Sequence, residues 1–362
     1  MDYPNLSSTL TVKKTTFKNR IVFPPVQTNY AAPNGETTKR HINFYENIAK
    51  NNVALTIVGA TGISPYSRLG DHAFCLYDDQ HVQSGKELFE AIRKGGSVPA
   101  VQINHGGRVM NPKLAGDKLI GPSAIPSPMS QNTPHELTVE EIEEIINQFS
   151  GTAENAKRAG ALTVEFHGAH SFLLNQFMSP AANKRKDQYG GSTENRARIV
   201  REIIKRTREV VGEDFILGLR MSVDEFVDGG LTIEESREMI KMFVDDSLDI
   251  IHVSGGGMDS GPKMVQAAAN GELIRLAGEI KKEIKIPVIA VGGILRLEQV
   301  ENALQEELAD MVAIGRGLIA DPELVTKTLE GRSEEIVECT GCMECFMPSE
   351  DPGMTCAVNE SI

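Results

Sequence analysis

What the chain lacks narrows its class first. No run of apolar residues in its 362 approaches the eighteen or so that span a bilayer, and the opening MDYPNLSSTLTVKK has no apolar stretch of signal-peptide length. A cytoplasmic protein with no membrane partner is therefore expected. Positive charge is also short. Lys and Arg number 37 against 50 Asp and Glu, a net charge of −13 at pH 7 with no basic stripe, which argues against nucleic acid as a partner. No G-x-G-x-x-G follows an early strand, so a Rossmann dinucleotide domain is not expected. Cysteine is scarce at five, yet four of the five fall within eighteen residues near the end. Cys75 stands alone and reads as a packing residue. The remainder, 40% apolar with 33 glycines and 17 prolines, describes a chain with a large core, of a length that barrels occupy as one domain.

Apolar runs recur at regular intervals. They cover Arg20 to Pro25, Val53 to Val58, Val98 to Ile103, Leu162 to Phe166, Ile216 to Arg220, Asp249 to Val253, Val288 to Val291 and Met311 to Ile314. Near-continuous runs of this kind suit parallel strands buried on both faces. Helical patterns separate several of them. Thr138 with Glu141 makes a capping box ahead of Ile142, Ile145, Ile146 and Phe149, and Thr232 with Glu235 repeats it ahead of Met239, Ile240, Phe243 and Val244. Eight strands in βα alternation predict an α/β fold, a (β/α)₈ TIM barrel over residues 1–332, with a Cys-rich extension over 333–362.

In such a barrel, chemistry belongs at the C-terminal ends of the strands. Strand four delivers His167 and His170, an H-x-x-H pair that a short turn can aim into one space; two neutral imidazoles there suit an anion or an electron-rich oxygen. The other strand ends supply Pro25, Val26 and Gln27; Gly59 and Ala60; Gln102, Asn104 and His105; Arg220; and Ser254 with Gly255. Gly292 and Gly293 after strand seven, with Gly315 and Arg316 after strand eight, sit where barrels bind a phosphate through exposed backbone N–H groups. Arg316 can add a bidentate contact to it.

KNRIVFPP, VGATGISP, VQINHGGR, VEFHGAHSFLLNQFMSP, the NKRKDQYGGSTENR loop, LGLRMS, VSGGG, AVGGI and AIGRGLIADP occur in the order found in the old yellow enzyme family of FMN-dependent ene-reductases, the NADH:flavin oxidoreductases. Over nearly its whole length the chain resembles that family. The resemblance implies that Pro25, Val26, Ala60, Gln102 and Arg220 surround the FMN ring, and that Gly292, Gly293, Gly315 and Arg316 hold its phosphate. It also implies that His167 and His170 bind the carbonyl of a small unsaturated substrate, NADH or NADPH being the reductant in the same pocket. Two positions depart from the family pattern. Phe172 stands where many members place a proton-donating tyrosine, so water or another acid such as Tyr30 is expected to supply the proton. Gln27 replaces the threonine or cysteine that often faces the flavin.

Cys339, Cys342, Cys345 and Cys356 are spaced C-x₂-C-x₂-C-x₁₀-C, a pattern that can wrap an iron–sulfur cube from one loop, with zinc or an unmetallated remnant as the alternatives. The segment is similar to the cluster-binding segments of 2,4-dienoyl-CoA reductases and trimethylamine dehydrogenase, which implies a [4Fe–4S] cluster exchanging electrons with FMN. With the chain stopping at Ile362, those electrons are expected to pass to or from a separate electron-transfer protein. The oligomeric state is not set by the sequence, and a homo-oligomer is compatible with it. Three functions fit: reduction of the C=C bond of an α,β-unsaturated carbonyl compound, oxidation of an amine by FMN with an iron–sulfur cluster, and an electron-transfer module without a substrate of its own.

Overall fold

The computed structural model describes residues 3–116, 118–128, 131–347 and 353–362. Eight parallel strands close into a barrel: β1 (Ile21–Phe23), β2 (Leu55–Gly62), β3 (Val98–Asn104), β4 (Thr163–Gly168), β5 (Ile216–Ser222), β6 (Ile250–Ser254), β7 (Val288–Val291) and β8 (Met311–Ala313), with β8 pairing back onto β1. The TIM barrel expected from the sequence is the fold observed. β1 is shorter than its apolar run because Pro24 and Pro25 lack the N–H that would continue the ladder. β2 instead runs on to Gly62, with a register shift between Val58 and Thr61.

Helices α1 (Lys39–Ala49), α2 (Asp79–Lys94), α3 (Val139–Ala159), α4 (Thr193–Val211), α5 (Ile233–Asp245), α6 (Glu272–Lys281), α7 (Leu297–Gln305) and α8 (Leu324–Leu329) surround the barrel. Both expected capping boxes form, Thr138 with Glu141 at α3 and Thr232 with Glu235 at α5. Among the described residues no helix is long and apolar enough to cross a membrane.

Alternation along the strands explains the continuous apolar runs. Outward residues such as Val101, Val164, Phe166, Leu219 and Val253 pack against Ile146, Phe149, Ile203 and Phe243 of the helices. Inward residues Val22, Leu55, Ala100, Ile216, Ile250, Ile289 and Met311 form a second cluster with Val12 and Phe17. Those last two belong to an antiparallel hairpin, Leu10–Val12 with Thr15–Phe17. Beyond α8 the described residues form short turns, tied back where Met354 N–H donates to the Thr28 carbonyl (2.7 Å) and Asn359 Nδ2 donates to that of Ile319 (2.8 Å).

Candidate active site

Two residues above the apolar inward layer, the barrel interior turns polar. Continuing the alternation from Ala100, Ile216 and Ile250, the inward positions are Gln102 and Asn104 on β3, Arg220 on β5, and His252 and Ser254 on β6, with Glu165 and His167 beside them on β4. Register sets them abreast: Gln102 pairs with Glu165, His167 with Arg220, and Arg220 with His252. Parallel strands in register thus gather into one row polar groups that run from Gln102 to His252 in the sequence.

Gln102 Nε2 donates to Glu165 Oε1 (2.7 Å), and His252 Nδ1 donates to Glu165 Oε2 (2.8 Å), all three side chains being buried. Three polar atoms of this layer have no hydrogen-bond partner among the described residues although they are buried: Arg220 Nε, His252 Nε2 and His167 Nδ1. Both amide atoms of Asn104 share that condition. Buried polar groups are ordinarily satisfied, so this concentration at a barrel mouth marks a place where a polar ligand completes the set. Burial lowers the pKa of Arg220 against the pull of Glu165, and it lowers that of His252 with Glu165 again opposing.

The histidine pair is closely made. His167 Nε2 and His170 Nδ1 share a hydrogen bond (3.0 Å), and His170 Nε2 meets Ser254 Oγ (2.8 Å). Burial holds both well below 6.5; for His167 the next contributions are His170 and Arg220, for His170 they are Arg220 and His252. Both imidazoles are therefore neutral near pH 7, so each carries one N–H and one lone pair. His170 reaches its position through a left-handed backbone (φ 62), continued by Ser171 (φ 67). Such residues cost roughly 1–3 kcal/mol and persist where the surroundings fix them. Here the His170 amide donates to Ser222 Oγ (3.1 Å), the Ser171 amide to Asn175 Oδ1 (2.7 Å), and Gly257 lies so close that a Cβ on it would stand 2.5 Å from the His170 carbonyl carbon.

Pro25, Gly59, Ala60 and Gln102 meet beside this row. A Cβ on Gly59 would fall 2.6 Å from Pro25 Cβ and 3.5 Å from Gln102 Oε1, so the Gln102 carbonyl oxygen faces this side. The Ala60 amide donates to Gln27 Oε1 (3.2 Å), and Gln27 Nε2 donates to Asn29 Oδ1 (2.8 Å). Val26 is buried next to them. Gly292 (φ 128) and Gly293 (φ 69) follow β7 in conformations that favour glycine, and a Cβ on Gly293 would stand 2.4 Å from the Ala268 carbonyl oxygen. Gly315 precedes the short helix Arg316–Ala320, and Arg316 Nη1 lies 3.2 Å from Met343 Sδ in the Cys-rich segment. Gly255 packs against Leu273 and Phe226.

Phe172 stands edge-on to His167, ring centroids 4.6 Å apart. Tyr30 is engaged elsewhere: its hydroxyl donates to the Met354 carbonyl (2.6 Å), its ring packs on Phe44, and Arg40 lies over its face. The four C-terminal cysteines are free thiols, and among the described residues no group of His, Cys, Asp or Glu is arranged to hold a metal ion. They still share one neighbourhood. Burial, with Cys339 and Cys356 alongside, pushes Cys345 up to about 11, whereas the Glu344 amide draws Cys342 down. Cys75 is fully buried, as a packing residue should be.

Glu165 and His252, the partners that tie the polar row together, are absent from the residues singled out in the sequence. Period-two counting from Gln102 and His167 is the signal that could have found Glu165.

Residues 5–335 match the NADH:flavin oxidoreductase / NADH oxidase family, and the chain belongs to that family of flavin oxidoreductases. It is 42% identical over 346 residues to an NADH oxidase of Thermoanaerobacter brockii, a match covering 94% of this chain and 53% of that protein. It is 37% identical over 316 residues to an NADPH dehydrogenase of Clostridium acetobutylicum, covering 87% of this chain and 91% of the relative. Among solved structures, a 2-naphthoyl-CoA reductase in complex with 2-naphthoyl-CoA superposes with a TM-score of 0.91 at 30% identity, covering 95% of this chain and 55% of the other. The chain thus spans about half the length of the first relative and of this structural neighbour, and nearly all of the second relative.

Proposed function

We propose that the protein is an FMN-dependent oxidoreductase that takes hydride from NAD(P)H and delivers it to the C=C bond of an α,β-unsaturated carbonyl compound. The observation that carries this reading is the buried, neutral His167–His170 pair set in register beside Arg220 at the barrel mouth. FMN, when bound, supplies a ring that accepts hydride from the nicotinamide and passes it on from N5. Arg220, Gln102, Pro25 and Ala60 would line that ring, the guanidinium stabilising negative charge at its N1 edge. Gly292, Gly293, Gly315 and Arg316 would hold the phosphate.

The histidines do the work on the substrate. A carbonyl oxygen entering between His167 Nε2 and His170 Nδ1 replaces their mutual bond and accepts from both, provided Ser254 Oγ–H donates to His170 Nε2 and so keeps the proton on Nδ1, and His167, the acceptor in the mutual bond, moves its own proton from Nδ1 to Nε2 as the substrate enters. Neutral donors polarise the carbonyl without themselves being acids strong enough to lose a proton. The β-carbon becomes electron-poor and accepts hydride. Water would protonate the α-carbon, since Phe172 has no proton and Tyr30 is bound to Met354. An enoyl thioester presents the same carbonyl, and the structural neighbour that binds 2-naphthoyl-CoA fits that substrate class.

Replacing both histidines by alanine tests this. The double variant should still be bleached by NADPH but should lose enone-dependent reoxidation by about 10²-fold or more. Unchanged reoxidation would overturn the role of the pair.

The C-x₂-C-x₂-C-x₁₀-C spacing of the four thiols, rather than their arrangement in this structure, supports an accompanying iron–sulfur cluster. Cys339 and Cys356 are both in electrostatic reach of Cys345, and a Cys₄ donor set suits iron.

A further inference from the structure

The buried chain below the mouth contains a group that the hydride route does not use. Glu165, 3% exposed, accepts from Gln102 Nε2 and from His252 Nδ1 at 2.7 and 2.8 Å. A carboxylate has no hydrogen to offer. The Gln102 amide must therefore turn its NH₂ towards Glu165, which leaves its carbonyl oxygen on the Gly59 side, 3.5 Å from where a Cβ of Gly59 would be. The same carboxylate is the electrostatic counterpart of Arg220, whose Nε has no partner among the described residues.

We infer that Glu165 is a positioning residue for FMN: it fixes Gln102 as a hydrogen-bond acceptor for the ring N3–H, and it moderates the positive charge that Arg220 presents to the N1 edge. The inference rests on the reading that Gln102 and Arg220 line the ring. The pyrimidine edge of FMN runs acceptor, donor, acceptor, so one fixed amide oxygen at its centre satisfies the single N–H of that edge, which an amide NH₂ turned the same way would oppose. The moderating charge acts in the other direction. Glu165 opposes the negative charge that the ring takes up on reduction, so its removal makes that charge easier to accept.

Two substitutions separate the two roles. Glu165→Gln removes the charge but keeps an acceptor for Gln102, since His252 can move its proton to Nε2 and accept from the new amide. Glu165→Met removes charge and acceptor together at similar volume. The full chain would be stripped of flavin and titrated with FMN and with 3-methyl-FMN, which has no N3–H, and midpoint potentials would be measured on the reloaded proteins.

Wild type should bind 3-methyl-FMN at least about tenfold more weakly than FMN, Glu165→Gln should keep that ratio, and Glu165→Met should lose most of it. Both variants should favour the reduced over the oxidised flavin by about tenfold more than wild type does, a rise of about 30 mV for a two-electron couple. No discrimination by wild type overturns the acceptor role of Gln102. Discrimination unchanged in Glu165→Met, or a potential that does not rise in Glu165→Gln, overturns the part given to Glu165. Where Glu165→Met does not fold, the potential of Glu165→Gln decides. Failure of wild type to take up FMN at all overturns the underlying flavin site instead.

Discussion

Gly293→Ala tests the phosphate end of the site with a control that the fold itself provides. Gly293 has φ 69, and a Cβ there would stand 2.4 Å from the Ala268 carbonyl oxygen. Gly331 has nearly the same backbone, φ 75, with no heavy atom within 4 Å of its built Cβ. Left-handed strain costs both alanine variants about 1–2 kcal/mol. Only Gly293→Ala also meets an atom more than about 1 Å inside ordinary contact, an overpacking worth roughly a further 1–3 kcal/mol. The segment Pro262–Ala269 has to retreat, and the two glycine amides move with it. Flavin binding, followed by fluorescence quenching with FMN and with phosphate-free riboflavin, reads the consequence. Wild type and Gly331→Ala should prefer FMN strongly. Gly293→Ala should lose about 10²-fold in FMN affinity, some 2.7 kcal/mol, with riboflavin little changed. An undiminished preference for FMN in Gly293→Ala would refute the assignment of the phosphate to this turn.

Other expectations follow from single contacts. Phe172→Tyr places a phenol against His167, from the edge-on ring now 4.6 Å away, and should speed enone-dependent reoxidation at least about tenfold by supplying the missing acid; stopped-flow traces will show it. Burial lowers His41 to about 3 and His105 to about 4 from 6.5. The unfolded chain takes up these protons as pH falls through 6.5 while the folded chain does not, so stability is full above 6.5 and declines below it, by about 2 kcal/mol per histidine at pH 5. Urea midpoints at pH 7.5 and 5 measure this, and His41→Phe should shallow the decline. Anaerobically reconstituted protein should hold about four irons and four labile sulfides per chain, and Cys345→Ala should fall well short of that; wild type without iron would remove the cluster from the account.

The barrel is legible in the sequence because each strand is a short apolar run whose alternate residues face two different cores. Val164 and Phe166 pack outward on the helices, while the inward layer closes on Val12 and Phe17. Glycines and histidines at the strand ends are equally visible, since their chemistry is local. Contacts between strands are not. That Gln102 lies beside Glu165, and His252 on the same carboxylate, depends on register across β3, β4, β5 and β6, which no local pattern encodes. Tyr30 shows the same limit: its distance along the chain from Met354 hides the hydrogen bond that its hydroxyl makes there.

The most direct test is an anaerobic absorbance titration of the purified protein, first with NADPH and then with cyclohexenone. The expected result is a flavin spectrum that bleaches with the nicotinamide and recovers with the enone. A bound flavin that bleaches but does not recover with the enone would contradict the proposed reaction, and a protein that binds no FMN would contradict the site itself.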